Sequence, residues 1–319
     1  MNIYLGNDAQ PSERKAIVAI GTFDGVHRGH QLVLRRVVDW AKDAGGAPAG
    51  VLTFREHPHK TLKDHAPDML TSLEHRLTLF EREHITFVWA LDFTPELSKL
   101  NASQFAKKFL ISKLAAQGLA LGFDSQFGCD RIGKDSPELK RLARSLSLSV
   151  RSVEPAMTPD GEIISSTRIR DAIFEGRLRD AEILLGRHVS VYGTVAPGDA
   201  RGRRLGYHTA NLNLDREVRP PFGVYATVAI VAGKRYRSVT NVGYRPTITQ
   251  HLPPDIKPDL LIETHLFDFA GDLYDKKMEV FFIEKLRDER RFSDVTALVE
   301  QIKKDEAKAR AILEAQSKW

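Results

Sequence analysis

The sequence predicts two domains of different class: an α/β domain built on a parallel sheet with flanking helices, then an all-β barrel closed by a C-terminal helix. Three observations predict this. Strand-like and helix-like segments alternate through the first half of the 319 residues. Beyond Gly186 strand-like runs dominate, separated by turns rich in Gly, Pro and Asp. An apolar run, Ala16–Ile20, feeds Gly21-Thr22-Phe23-Asp24-Gly25-Val26-His27-Arg28-Gly29-His30, and a helical pattern follows.

That pattern places Val33, Leu34, Val37, Val38 and Ala41 on one face of a helix. Two histidines three residues apart therefore stand where a strand turns into a helix. A helix start has free N–H groups and a positive dipole end, so it attracts phosphate. Imidazoles there donate hydrogen bonds to phosphoryl oxygens. Gly29 is read as leaving room for a phosphate between them. A lone histidine at a helix start is more simply a cap, but H-x-G-H after Gly-x-Phe-Asp-Gly is not a lone histidine.

The next strands are read at Ala49–Phe54, Phe87–Phe93, Leu119–Phe123 and Leu148–Val153, with helices at Leu73–Arg82, Ser103–Leu114 and Pro137–Ser145. Ser103 is the expected N-cap of its helix. In such sheets ligands bind beyond the carboxyl ends of the strands. Thr53–Pro58, with His57, and Gly122–Gly128, with Asp124, lie there. Ser166, Thr167, Arg168 and Arg170 put two hydroxyls and two guanidiniums at another helix start, a fit for a triphosphate. Read alone, Ser166/Thr167 is equally a plain cap. Short helices Arg168–Glu175 and Asp180–Leu185 end at Gly176 and Gly186.

The domain boundary falls near 186, giving 1–186 and 187–319. Barrel strands are read at Val189–Val195, Val224–Val231, Arg237–Val242, Leu260–Phe267 and Met278–Glu284, and an amphipathic helix follows from about Ser293. Gly202, Arg203 and Gly206 form a glycine- and arginine-rich segment that suits phosphate. Thr209 and Asn211, two apart on an extended segment, offer oxygens from one side, the kind Mg²⁺ prefers. Asn241–Thr247 reads as a tight closing turn. Glu263 interrupts an apolar strand, so it is paired, functional, or on a solvent-facing edge.

Net charge is +5 and the pI about 9.2, which fits a binder of anionic small molecules. Lysine and arginine are dispersed, which argues against nucleic acid. Cys129 is the single cysteine, so a reducing compartment is expected. The N-terminus has no signal-peptide pattern and no run reaches membrane-spanning length, so the expectation is a cytoplasmic protein away from membranes. No Walker sequence, nucleophile elbow or zinc spacing occurs.

These segments resemble the bacterial bifunctional riboflavin kinase/FAD synthetase family along nearly the whole chain. The matching stretches are Gly21–His30, Thr53–Pro58, Leu70–Leu73, Gly122–Gly128, Ile164–Arg170, Gly202–Asn211, Asn241–Thr247, Glu263–Tyr274 and Leu286–Phe292. The resemblance implies a Rossmann-like nucleotidyltransferase domain followed by a flavokinase-type barrel. It implies FMN formation from riboflavin and ATP in the second domain, then FAD and pyrophosphate from FMN and ATP in the first. His27 and His30 would stabilise the transition state. Gly21, Phe23, Asp24, Gly25, Gly29, Ser166, Thr167, Arg168 and Arg170 would hold ATP, with Arg170 also catalytic. His57, Asp124 and Arg287 would contact flavin. Thr209 and Asn211 would hold Mg²⁺ with ATP, and Glu263 would be the general base. Flavins are substrate and product rather than resident cofactors; the expected partners are riboflavin, FMN, FAD and ATP.

Departures from the family pattern are His208 in place of Pro, Tyr207 and Ser125 in place of Phe, and Arg55-Glu56-His57-Pro58 in place of Glu-Pro-His-Pro. They leave two alternatives: one active module of the two, or a flavin- or nucleotide-binding regulator without catalysis. Retention of His27, His30, Arg170, Thr209, Asn211 and Glu263 speaks against the regulator.

Overall fold

The computed structural model describes residues 1–58, 67–196, 209–214, 217–244, 260–290 and 292–316. It divides into two compact units, 1–69 with 73–166, and 70–72 with 167–319. The second unit thus includes helices α6 (Ser166–Phe174, from Thr167 onward) and α7 (Leu178–Leu185), which the 186 boundary assigns to the first domain.

The first unit is a six-stranded parallel sheet. Its strands are β1 (Asn2–Leu5), β2 (Ile17–Ile20), β3 (Ala49–Phe54), β4 (Phe87–Leu91), β5 (Gly118–Leu121) and β8 (Ser149–Ser152), in the order β1-β4-β3-β2-β5-β8. A separate two-stranded ribbon, β6 (Gln126–Phe127) and β7 (Ile132–Gly133), follows β5. Alternation along the strands explains the two cores. Ile17, Ala19, Val51 and Val88 pack with α1 (Arg28–Asp43) and α2 (Leu73–Arg82) on one face. Val18, Ile20, Leu52, Trp89, Leu91, Leu119 and Leu121 pack on the other with Phe105, Phe109, Leu110 and Leu139. A sheet buried on both faces needs apolar residues throughout, which is why these strands read as continuous apolar runs.

From β2 the chain steps to β3 and β4 on one side, then returns to β5 and β8 on the other. The strand order therefore reverses between β2 and β5. Loops diverge at such a point and leave a crevice at the carboxyl ends. The Gly21–His30 loop leaves β2 there, and Gly122–Gly128 leaves β5 beside it.

Helices α2 and α5 (Pro137–Ser145) have the expected bounds. The segment before them differs. Asn101, not Ser103, caps α4 (Ala102–Phe105), which follows the short α3 (Pro95–Ser98). The Asn101 side chain accepts from Gln104 N–H while the Gln104 side chain accepts from Asn101 N–H, a reciprocal cap that Ser103 cannot form. The chain then widens into a π turn over Ala106–Ile111.

The second unit is a closed antiparallel barrel ordered β10-β13-β12-β11-β14-β9. The strands are β9 (Ser190–Ala196), β10 (Thr209–Leu214), β11 (Gly223–Val231), β12 (Lys234–Tyr244), β13 (Leu260–Leu266) and β14 (Lys277–Arg287). Closure removes the sheet edges. Inside, Thr227 Oγ1 bonds Ser238 Oγ and Thr240 Oγ1, and Thr240 Oγ1 bonds Thr264 Oγ1, at 2.8–2.9 Å. All four hydroxyls belong to fully buried residues, and each has a partner, as buried polar groups require. Outside, Val224, Ala226, Val228 and Val239 pack against Ala309 and Leu313 of α8 (Val295–Ala315). Asp294 caps α8 by accepting from Ala297 N–H. Glu217, also buried, accepts from Ser72 N–H at 2.7 Å and Tyr192 N–H at 3.1 Å within this unit. Among the described residues no helix is long and apolar enough to cross a membrane.

Gly50 on β3 shows how closely the first sheet is packed. A Cβ there would lie 2.1 Å from Phe87 Cζ on neighbouring β4. Phe87 is fully buried and has no free space to yield. Gly50→Ala is expected to cost at least about 1–3 kcal/mol, read as a lower melting temperature of the first unit in calorimetry; an unchanged transition would contradict this packing.

Candidate active sites

In the first unit the loop after β2 is wound tightly. Phe23, Gly25 and Val26 have φ of 52°, 81° and 38°. Left-handed backbone at Phe and at β-branched Val is strained by about 1–3 kcal/mol each, and persists only where the surroundings over-determine it. Here Val26 N–H donates to the Phe23 carbonyl, and both side chains are buried in the core under α1. Gly21 lies against the Phe23 ring, 3.2 Å from where its Cβ would be. Phe23 in turn packs edge-on to His30, with centroids 5.2 Å apart, and to Phe80 at 5.7 Å. The Phe23 side chain thus supports a histidine from within the core.

His27 is the N-cap of α1, and its Nδ1 accepts from His30 N–H at 3.4 Å. A neutral imidazole that accepts at Nδ1 carries its proton on Nε2. The two rings stack, with centroids 3.7 Å apart and planes 20° from parallel. No phosphate fits between rings at that spacing, so the expected role of Gly29 is corrected. A Cβ on Gly29 would stand 3.1 Å from His27 Cε1 and 3.2 Å from its Nδ1. The glycine makes room for the His27 ring.

Asp24 is buried, and its carbonyl accepts from Ser166 Oγ at 3.0 Å. Ser166, the first residue of α6, is therefore tied to the loop three residues before His27. Thr167 is exposed on α6, while Arg168 and Arg170 are half-buried on it. His57 is half-buried just past β3, and Asp124 is exposed just past β5.

One residue escaped the sequence reading. Arg76 on α2 is fully buried and donates to oxygens of Thr22, Thr53, Phe54 and Arg55. A signal existed: Arg76 occupies the i+3 place of a stripe otherwise made of Leu73, Leu77 and Phe80. A charge inside an apolar stripe needs a reason.

In the second unit the site follows from register. Asn211 on β10 stands opposite Glu263 on β13, and Glu263 stands opposite Asn241 on β12. Directly paired residues point to one face, so the three polar side chains form a row. Thr209, opposite His265, shares that face. Val239, two residues from Asn241, packs under α8, so the row lies on the outside of the barrel. Glu263 is half-buried on a strand paired on both sides, which excludes the solvent-facing edge reading. Asn211 is buried.

Glu289 reaches the same row. It hydrogen-bonds the Asn241 side chain, and burial pushes its carboxyl above the ordinary value against the pull of that bond and of Arg287. Its carboxylate occupies the place a Cβ on Gly243 would fill. The sequence reading did not single it out. Arg287 is held by Asp305, whose Oδ1 and Oδ2 accept from its Nε at 3.1 and 2.9 Å. Gly202, Arg203 and Gly206, with Tyr207, His208 and Arg245–Thr247, lie outside the described residues. Among the described residues no three His, Cys, Asp or Glu side chains gather to hold a metal ion.

The FAD synthetase family matches residues 9–168 and the riboflavin kinase family residues 185–313. A bifunctional riboflavin kinase/FMN adenylyltransferase of Pseudomonas fluorescens is 36% identical over 306 residues, covering 96% of each chain. The protein of that name in Bacillus subtilis is 34% identical over 301 residues, covering 93% of this chain and 92% of its own. A solved structure from Streptococcus pneumoniae, described as a macrolide-efflux protein, superposes with a TM-score of 0.80 at 32% identity, covering 97% and 99%. With both family matches in chain order and relatives aligned over nearly their full length, the chain belongs to the bifunctional riboflavin kinase/FMN adenylyltransferases.

Proposed function

We propose that the chain makes FAD in two steps at two sites: riboflavin and ATP give FMN and ADP in the barrel, and FMN and ATP give FAD and pyrophosphate in the parallel-sheet unit. The modules are 1–186 and 187–319. The observation that carries the reading is that each unit holds its own polar site suited to one of these reactions. One is a row of Asn211, Glu263 and Asn241 on a barrel, and the other a stacked histidine pair at a helix start.

In the barrel the Glu263 carboxylate accepts the proton of the riboflavin 5′-hydroxyl as that oxygen attacks the γ-phosphorus of ATP, and ADP leaves. The donor set beside it fits Mg²⁺: the oxygens of Thr209 and Asn211 share the face of Glu263, and Mg²⁺ takes few protein ligands when it arrives with phosphates. When bound, the ion neutralises phosphate charge. Arg287 and Glu289 line the flavin side, and Gly202, Arg203 and Gly206 bind phosphate.

In the other unit a phosphate oxygen of FMN attacks the α-phosphorus of ATP and pyrophosphate leaves. The attacking group is already ionised, so no protein nucleophile or base is needed. Positioning and charge stabilisation carry the step. His27 and His30 stabilise the transition state at the positive end of α1. Gly21, Phe23, Asp24, Gly25 and Gly29 shape the ATP loop, and Ser166 holds its phosphates. His57 and Asp124 contact FMN. We place the protein in the cytoplasm, where its single, exposed Cys129 stays reduced.

Incubation of the purified chain with riboflavin, ATP and Mg²⁺, followed by separation of the flavins, is expected to yield both FMN and FAD. FMN alone, or FAD only from supplied FMN, would leave one active module. Glu263→Ala is expected to lower FMN formation by at least about 100-fold, while FAD formation from supplied FMN persists; a joint fall of both on a folded variant would refute separate sites. His30→Ala is expected to cut FAD formation and spare phosphorylation, and unchanged FAD output would remove His30 from the site.

A further inference from the structure

Charged side chains are almost never fully buried unless their donors are matched. Arg76 meets that condition at both terminal nitrogens, with backbone carbonyls from two segments and one hydroxyl. Its Nη1 donates to the Thr22 carbonyl at 2.6 Å and to Thr53 Oγ1 at 2.9 Å. Its Nη2 donates to the carbonyls of Phe54 at 2.9 Å and Arg55 at 3.3 Å. Thr53 Oγ1 closes the arrangement by donating to the same Thr22 carbonyl at 3.1 Å.

Thr22 opens the loop that carries His27 and His30. Phe54 and Arg55 open the segment that carries His57. Strands β2 and β3 are paired as far as Ile20 with Leu52, and Gly21 N–H still reaches the Leu52 carbonyl. Beyond that point the strands part, and the freed carbonyls turn to the guanidinium. A buried carbonyl left without a donor is costly, so the strands can open a crevice here because Arg76 fills the ladder's place. The planar guanidinium holds its donors in a fixed fork, which sets the spacing of its acceptors; a lysine ammonium is a single point charge on a flexible stem.

We infer that Arg76 is a positioning residue for adenylyl transfer: it fixes the separation between the His27/His30 loop and the His57 segment, and so the alignment of FMN with the α-phosphorus. It touches no substrate and acts through the two backbone segments. The inference rests on the proposed reading of the histidine loop and deepens it.

Arg76→Lys keeps the charge and removes the fork. Displacements of up to an ångström at a reacting centre cost on the order of 100-fold, so kcat for FAD formation from supplied FMN is expected to fall about 10- to 100-fold. The KM for ATP should stay within about twofold, and calorimetric titration with a non-hydrolysable ATP analogue should give the wild-type number of binding sites. Riboflavin phosphorylation by the same preparation should be unchanged. Wild-type kcat in Arg76→Lys would overturn the proposal. If that variant loses binding sites in proportion to its rate, Thr53→Val decides. It removes both hydrogen bonds of the Thr53 hydroxyl at nearly constant volume and is expected to lower kcat about 3- to 10-fold at full binding stoichiometry; wild-type kcat there overturns the proposal too. His30→Ala run alongside separates the two levels. FAD formation surviving in His30→Ala defeats the histidine reading, whereas FAD formation lost there but intact in Arg76→Lys defeats this inference alone.

Discussion

The bond from His30 N–H to His27 Nδ1 is the interaction from which the first site is built. It caps α1, so it fixes where the helix and its positive end begin. It requires the two imidazoles to lie on one side of the first turn, and they stack there. The stack sets the His27 ring 3.1 Å from where a Cβ on Gly29 would stand and places the His30 ring against Phe23. Phe23 reaches that position only with left-handed backbone, held by burial beneath α1. A helix cap, a glycine and a strained loop are thus consequences of one geometric demand. The bland reading of His27 as a capping residue and the reading of it as part of a phosphate site are the same observation: the cap is what orients the ring.

The second site depends on parity. Along a strand successive side chains face opposite ways, and across an antiparallel pair opposed residues share a face. Asn211, Glu263 and Asn241 are brought together by that rule alone, from strands far apart in sequence. The residues between them, Ala210, Thr264 and Thr240, face inward, where Thr240 and Thr264 join the buried hydroxyl chain. A slip of one residue would put Glu263 inside the barrel and a hydroxyl outside. The internal hydroxyls need one another as partners, so they help to hold the register that the outer row requires.

How much of this could be read beforehand follows from what each feature depends on. Helices 73–82 and 137–145, and strand 49–54, rest on local periodicity and stand where the sequence put them. The pairing of Thr209 and Asn211 on one side needed only a period of two. Glu263 was visible as a charge within an apolar run, yet nothing local shows that its strand is paired on both sides. Strand β1 is only four residues long, too short for a periodic signal, and its apolar Ile3 and Leu5 stay exposed. Asn101 caps the helix in place of Ser103 because Gln104, three residues on, returns the bond, whereas the residue three beyond Ser103 is Ala106, whose side chain has no acceptor. Arg76 shows the deeper limit: three of its four acceptors are backbone carbonyls, and every residue has one, so no side-chain pattern announces them.

The two candidate sites differ in the way the reactions proposed for them require. An alcohol is a poor nucleophile at neutral pH and needs a base as it attacks, and the barrel row has a carboxylate at its centre. A phosphate monoester is already anionic, and a carboxylate beside it would repel it. The described residues of the His27/His30 loop contain one acid, Asp24, and its side chain is buried. What faces the helix start is a pair of imidazoles, groups that donate to developing negative charge. A single pocket serving both reactions would need its carboxylate for the first step and suffer from it in the second. Separate units relieve that conflict, each with the electrostatics its own nucleophile demands.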